Sequence, residues 1–157
     1  MFRKMRRSGQ AITHDYCIKL LKEEKRAVLS VNGDDGYPYS IPINYFYDEI
    51  DGKIYIHSAR NGHKIDAIRA NSKVCFTLWG DEYKSNDWAY YVRSVVIMGR
   101  AELVEDRDTA LEKMRSIGLK YYPSEKEVDE VIERAFPAVQ IIAVIPEHMT
   151  GKLVNEA

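Results

Sequence analysis

The sequence has 157 residues, a formal net charge of −1 and a pI near 6.4. This length suits a single domain over residues 1–157, and the balanced charge gives no electrostatic reason to bind nucleic acid or an anionic membrane. No stretch reaches the roughly 20 apolar residues of a membrane span, and no apolar segment follows the basic N-terminal arm, residues 1–11. We therefore expect a cytoplasmic protein without a signal peptide.

The residues that most often bind metals are scattered along the chain. They are Cys17, Cys75, His14, His57, His63 and His148. None of the histidines has a zinc-type spacing to a cysteine or to another histidine, and both cysteines lie in apolar patterns typical of inert core residues. The sequence therefore predicts no metal site.

The first predicted element is a short amphipathic helix. Thr13 is its expected N-cap, and Ile12 and Cys17 occupy the two positions of a hydrophobic staple. A charged hinge, residues 22–26, leads from this helix into a buried strand at residues 27–31.

Two turns then predict two consecutive hairpins. The sequence NGDDG, residues 32–36, precedes a returning strand at 39–47, and DEIDG, residues 48–52, precedes the next strand. Three consecutive strands are thus expected to be antiparallel neighbours. Pro42 cannot donate a hydrogen bond to a neighbouring strand, so it predicts an edge, a bulge or an opening in the sheet.

The stretch KIYIHSARNGHKIDAIRAN, residues 53–71, begins as a strand and ends as a helix. Helical spacing begins after Gly62, and Asn71 is the expected left-handed terminator. Ser58, Asn61, His63 and Lys64 lie around the helix start, where free N–H groups favour an anion such as phosphate. The alternative is a surface connection whose polar residues only cap the helix.

The next strands are predicted from alternation of apolar residues. A fourth strand around residues 74–79 is expected to end at Gly80 and Asp81, followed by a polar loop at 82–87. A long fifth strand spans about 88–104, and Gly99 predicts a bulge in it.

Two helices and a final strand complete the chain. Asp106 and Ser124 are the predicted N-caps, and Gly118 is expected to end the first helix. A last apolar strand at 138–145 is expected to stop at Pro146, leaving a polar C-terminal tail at 147–157.

Six hairpin-connected strands with flanking helices predict a mainly β, α+β fold in the form of a small antiparallel barrel. Regular βαβ alternation is missing, and so are the G-x-G-x-x-G and P-loop motifs. A doubly wound nucleotide-binding sheet is therefore disfavoured.

Two stretches, PYSIPINYFY at 38–47 and IYIHSARNGHKID at 54–66, together resemble the flavin-binding split-barrel superfamily of pyridoxamine 5'-phosphate oxidase. The resemblance is specifically to its nitroimidazole-resistance branch. It covers nearly the whole chain, including the basic arm, SVVIMGRAEL at 94–103 and TGK at 150–152. It implies a six-stranded antiparallel split β-barrel that binds FMN at a homodimer interface.

The resemblance also implies roles for particular residues. Ser58 and Lys64 are expected to bind the FMN phosphate, with His63 where the superfamily often has arginine, and His57 is expected near the ring edge. The rest of the implied cofactor-binding set is Pro42, Ile43, Asn44, Tyr45, Ala59 and Gly62, together with Ser94, Val95 and Val96 from the other subunit.

The function implied by the resemblance is an FMN-dependent oxidoreductase that reduces a small electrophile such as a nitroaromatic. Either His57 or His63 is the candidate catalytic residue, and the sequence does not choose between them. The arginine motif of true pyridoxamine-phosphate oxidases is absent from the C-terminal sequence IPEHMTGKLVNEA, so vitamin B6 oxidation is not expected. One alternative is a module that binds or senses flavin, haem or a deazaflavin without turnover. Another is a structural or interaction barrel with an empty pocket.

Overall fold

The computed structural model describes residues 1–84 and 88–156. Its strands form one antiparallel sheet in the order β2-β1-β5-β6-β7-β4-β3. They are β1 (Ala27–Asn32), β2 (Pro38–Ile43), β3 (Phe46–Asp48), β4 (Lys53–Ala59), β5 (Lys73–Lys84), β6 (Tyr90–Leu103) and β7 (Val139–Asn155). The helices are α1 (His14–Glu23), α2 (His63–Ala70), α3 (Arg107–Tyr121) and α4 (Glu125–Ala135). Among these described residues no helix is both long and apolar enough to cross a membrane.

The sheet is open, and it has seven strands where six were predicted. The predicted strand at 39–47 is in fact two strands, β2 and β3, which lie at opposite ends of the sheet. β2 pairs only with β1, and β3 pairs only with β4, so the expectation that three consecutive strands are neighbours is wrong. The reason is a break at Tyr45, whose backbone bonds to the Tyr121 side chain, N to Oη at 2.9 Å and Oη to O at 2.8 Å.

The sheet buries apolar residues on both faces. One face packs on α1 and α2 around fully buried residues such as Leu29 and Phe76. The opposite face of β4 and β7 packs under α3, where Tyr55 and Ile141 contact Met114 and its neighbours. Successive strand residues point to opposite faces of the sheet, and both faces of β4 are covered near its start. Ile54, Tyr55 and Ile56 are therefore all buried.

The predicted helix starts are confirmed. Each N-cap side chain accepts a hydrogen bond from the backbone N–H three residues later: Thr13 from Tyr16 at 3.2 Å, Asp106 from Thr109 at 2.9 Å and Ser124 from Glu127 at 3.3 Å. These bonds satisfy donors that a helix leaves free at its first turn.

One predicted helix end is wrong. Helix α3 continues past Gly118 to Tyr121, because this glycine serves helix packing: a Cβ there would lie 2.7 Å from Val128 Cγ1 of α4.

Helix α2 ends at Ala70 with Asn71 as its C-cap, as predicted, but the predicted left-handed conformation is wrong. Asn71 is extended at φ −149°, and its side-chain oxygen accepts from the Lys73 N–H at 3.0 Å.

Strands β5 and β7 are longer than predicted. β5 runs beyond Gly80 to Lys84 through a register shift, so the first half of the predicted 82–87 loop is strand, and residues 85–87 lie outside the described residues.

The final strand passes Pro146 and pairs with β6 up to Asn155, so the predicted tail at 147–157 is ordered strand over nearly all its length. The reason is that Pro146 stands opposite the predicted bulge at Gly99, where β6 shifts register against β7. A Cβ at Gly99 would collide with the Ile145 carbonyl oxygen.

A buried ion pair links α3 to the sheet, beside the apolar contacts between α3 and strands β4 and β7. Lys113 Nζ lies 2.7 Å from Asp48 Oδ2, and both side chains are almost wholly buried. The hydrogen bond from Lys113 holds the pKa of Asp48 below its usual value. Burial would lower the pKa of Lys113, but its bonds to Asp48 and Glu112 outweigh burial and raise it.

Replacing Asp48 with Asn should destabilise the fold by about 1.5–3 kcal/mol, because Lys113 would lose its buried charged partner and keep only Glu112 and the more distant Asp51. The measurement is the free energy of unfolding in urea near neutral pH. The Asp48 contribution is present above the ordinary carboxyl pKa near 4 and is lost as pH falls through its lowered folded value. The matched control is Glu49→Gln, which disrupts the exposed pair with Lys22 and should cost less than about 1 kcal/mol. Equal losses for the two variants would contradict this account.

Candidate functional site

A cavity of about 400 Å³ lies at the open edge of the sheet, between β2 and the connection from β4 to α2. We call it the edge cavity. It is lined by Arg26, Ile41, Pro42, Ile43, Asn44, His57 and Lys64. None of these lining residues, all from the described part of the chain, is acidic. The cavity therefore combines two cations with an apolar strand edge and one amide side chain.

The start of α2 forms the cationic end of the edge cavity. Gly62 caps the helix at φ +124°, a conformation that side-chain-bearing residues rarely adopt, and it places Lys64 in the first turn. The first N–H groups of the helix have no partner within the helix and carry the positive end of its dipole. Burial lowers the pKa of Lys64, so an anion here would compensate a charge that is partly removed from water. The geometry suits a phosphate group.

His57 borders two cavities. Its imidazole lines the edge cavity and also a second cavity of about 150 Å³ under α3 and α4, which we call the helix cavity. Burial, and then the positive charge of Lys64, lower the pKa of His57. The neutral imidazole is therefore favoured, with one ring nitrogen available as a hydrogen-bond donor and the other as an acceptor.

His63 lies at the same helix start but has a different surrounding. Its Nε2 accepts from the Asp34 N–H at 3.3 Å, and its ring stacks on Tyr39 with the centroids 4.2 Å apart. Both contacts belong to the β1–β2 hairpin, and His63 is not among the residues that line the edge cavity. Of the two candidate histidines, only His57 is at the cavity.

The structure brings together part of the predicted site. Pro42, Ile43, Asn44, His57 and Lys64 all line the edge cavity. Ser58, Ala59 and Gly62 lie on the β4–α2 connection beside it, where all three are at least partly exposed.

Besides His63, four predicted site residues lie elsewhere. The Tyr45 side chain is fully buried and packs edge-on against Phe76, so it belongs to the core. Ser94, Val95 and Val96 lie on β6, which β1 and β5 separate from β2. Val95 points into the core, whereas Ser94 and Val96 are on the other face of the sheet. Within one chain these residues do not reach the edge cavity.

Arg26 also lines the edge cavity, but the sequence pattern placed it in the charged hinge at residues 22–26 and not in the site. The strand register could have indicated its position. Arg26 directly precedes β1, and the antiparallel register pairs Ala27 with Ile43, which sets Arg26 beside the end of β2. A correct hairpin register would have placed this guanidinium next to Asn44.

The model of the pyridoxamine 5'-phosphate oxidase family matches residues 13–153. The chain belongs to this family. The match runs from the cap of α1 almost to the end of β7, so it includes both the edge cavity and the helix cavity. Comparison with curated proteins gives no significant match.

Solved structures share the split-barrel fold of the pyridoxamine 5'-phosphate oxidase family. A candidate 5-nitroimidazole antibiotic resistance protein from Bacteroides thetaiotaomicron has a TM-score of 0.75 at 23% identity over 92% of this chain and 87% of its own. The FAD binding protein from Mycobacterium smegmatis has a TM-score of 0.62 at 19% identity, covering 92% and 98%. The flavocytochrome Anf3 from Azotobacter vinelandii has a TM-score of 0.71 at 19% identity, covering 97% and 72%. At these identities the likeness shows the fold alone.

The His57 imidazole should titrate below the value of about 6.5 found for an unperturbed histidine. Replacing Lys64 with Met should raise the titration midpoint of His57, because a nearby positive charge that opposes protonation of the imidazole is removed. The measurement is a pH titration of the ring protons by NMR. Arg69→Met, at the other end of α2, is the control and should leave the midpoint unchanged. An unaltered midpoint in the Lys64 variant would rule out this coupling.

Proposed function

We propose that this protein is an FMN-dependent oxidoreductase that reduces a small electrophile such as a nitroaromatic compound. One observation carries the proposal: the edge cavity combines Lys64 and the start of α2 with an apolar strand edge that ends at Asn44 and Arg26. A dianionic phosphate joined to a flat, largely apolar ring with a polar rim has the matching distribution of charge and polarity.

The phosphate would bind at the cationic end. Lys64 supplies a point charge, and the first N–H groups of α2 turn the positive end of the helix dipole toward the cavity. Arg26 lies beside the Asn44 end of β2 and adds a second positive charge to the cavity. Ser58 lies at the end of β4 and offers a hydroxyl as donor. His63 would act on this site through the hairpin turn that it contacts, since it does not line the cavity itself.

The ring would lie along β2. Pro42 and Ile43 offer a flat apolar edge, and the Asn44 amide offers both a donor and an acceptor to a polar rim. When bound, the flavin supplies the electron transfer, and the chain supplies position, electrostatics and the exclusion of water. The His57 imidazole borders this cavity, and its protonated form would donate a proton to a reduced substrate; the lowered pKa makes that form less populated but a stronger acid.

The named functions of the related structures support a redox role. One is a candidate 5-nitroimidazole antibiotic resistance protein, another binds FAD, and a third is a flavocytochrome. FMN is the form we propose for this chain, because a single phosphate matches a single cationic end.

A second copy of the chain would complete the site. Four paired residues form one row across β2, β1, β5 and β6, on the sheet face that points away from α1 and α2. They are Pro42, Val28, Thr77 and Val96. On the same face Trp79 is 56% exposed and Met98 is 45% exposed. We propose that a two-fold partner covers this outer face and that its Ser94 to Val96 segment approaches the flavin.

Replacing Lys64 with Ala should weaken FMN binding by about 1.5–3 kcal/mol, because a charge-assisted contact to phosphate is lost. The measurement is fluorescence quenching of FMN titrated with flavin-free protein. Lys126→Ala, on the exposed face of α4, is the control and should leave the affinity unchanged.

The same preparation separates the alternatives. Equal FMN affinity in wild type and Lys64→Ala would contradict the phosphate assignment, and no retention of FMN would refute the proposed function. A Soret band in the purified protein would indicate haem in its place. A flavin that stays oxidised with NADH or NADPH, and that once reduced is not reoxidised by nitroaromatics, would indicate a binding module without turnover.

Replacing Val96 with Glu should dissociate the dimer, because it places a charge in the middle of the covered outer face. The measurement is sedimentation velocity, with bound flavin followed at its visible absorbance. Leu119→Glu makes the same change at an exposed apolar residue of α3 and should leave the dimer intact. A wild-type protein that sediments as a monomer while carrying flavin would refute the interface.

A further inference from the structure

The helix cavity has almost entirely apolar walls. It lies where α3 and α4 face β4 and β7, and its walls include Met114, Ile117, Val131, Ile132, Ala135 and Val139. Apart from the Tyr122 phenol, His57 is the one polar side chain among the described residues that line it. His57 also lines the edge cavity, so the two cavities meet at this imidazole.

The helix cavity has the size of a single aromatic ring. Its volume is about 150 Å³, and an apolar space of roughly this volume accepts a benzene-sized molecule. Met114, Ile117 and Val128 in its walls are buried, whereas Tyr122 is 44% exposed, so the cavity opens to solvent on that side. The two helices meet closely at Gly118 and Val128, so the space beside that contact is bounded by backbone as well as by side chains.

The lining selects against charge. None of the described lining residues carries a full charge when His57 is neutral, and burying an unpaired charge among apolar walls is strongly unfavourable. The nearby Lys64 ammonium and burial both favour the neutral form of His57. A carboxylate would therefore find no cation inside the cavity, whereas an uncharged ring would gain dispersion contacts with its apolar walls.

We infer that the helix cavity binds a small uncharged ring compound, which contacts the His57 imidazole from the apolar side. This inference rests on the proposed function in one respect: it makes the helix cavity the substrate subsite of a flavin enzyme whose cofactor occupies the edge cavity. The substrate class is then an uncharged, single-ring electrophile. Anionic aromatic compounds are disfavoured by the uncharged lining.

The test uses two probes of nearly the same shape, uncharged nitrobenzene and anionic benzoate, added to flavin-free protein at neutral pH. Nitrobenzene should shift the Met114 methyl and His57 ring resonances saturably, and benzoate should leave them unchanged at the same concentration. This measurement uses the unaltered protein, so it does not depend on any variant folding. No saturable shift with nitrobenzene, or equal shifts with both probes, would overturn the inference.

A matched pair of variants on α4 localises the probe. Ala135→Phe adds a ring inside the helix cavity and should weaken nitrobenzene binding at least tenfold. Glu133→Phe adds the same ring on the exposed side of the helix and should leave binding unchanged. Unchanged binding in a folded Ala135 variant would overturn the location.

The outcome is separable from the proposed function because FMN affinity is measured on the same samples. Ala135→Phe should leave FMN affinity within about twofold, since Ala135 does not line the edge cavity. Nitrobenzene binding without FMN binding refutes the cofactor proposal and leaves the helix cavity as an apolar ligand site. FMN binding without nitrobenzene binding refutes the inference alone.

Discussion

The chain leaves β2 after Ile43 and rejoins the sheet at Phe46 on its opposite end, and the Tyr121 hydroxyl holds the residue between them. This hydroxyl accepts from the Tyr45 N–H and lies within hydrogen-bond distance of the Tyr45 carbonyl oxygen. Without it, the backbone of a wholly buried residue would lack the partners that a neighbouring strand normally supplies. Because the crossing is satisfied from α3, β2 does not need to pair with β4. The sheet stays open there, and the edge cavity occupies the opening.

Helix α3 therefore supports the edge cavity, although none of its residues lines that cavity. Besides the Tyr121 bond, Lys120 donates to the Glu24 carbonyl oxygen at 2.5 Å and so places a cation at the end of α1. Burial lowers the pKa of Lys120 to about 8, which shows how far this ammonium is removed from water. Arg26 follows two residues after Glu24. The position of the guanidinium at the edge cavity thus depends on the contacts that fix the end of α1, and those contacts come from nearly one hundred residues along the chain.

The features that the sequence predicted correctly depend on neighbours close in sequence. The caps at Thr13, Asp106 and Ser124 each use an N–H three residues away. The wrong predictions concern places where the backbone conformation of one segment depends on contacts with a segment far away in the sequence. Pro146 looks like the end of a strand when taken alone, but the bulge at Gly99 accommodates it and pairing continues. The break at Tyr45 depends in the same way on a residue 76 positions later.

The two histidines show the same limit at the candidate site. They are six residues apart, and no sequence pattern favours one over the other as the candidate catalytic residue. Their backbones differ, however: His57 is on a strand, where alternate residues point to opposite faces, whereas His63 opens a helix. The Asp34 N–H and Tyr39 then hold His63 against the hairpin. His57 has no such bond in the described structure and borders both the polar and the apolar cavity. Under the proposed function a proton donor must reach its substrate, so its position distinguishes His57 for that role.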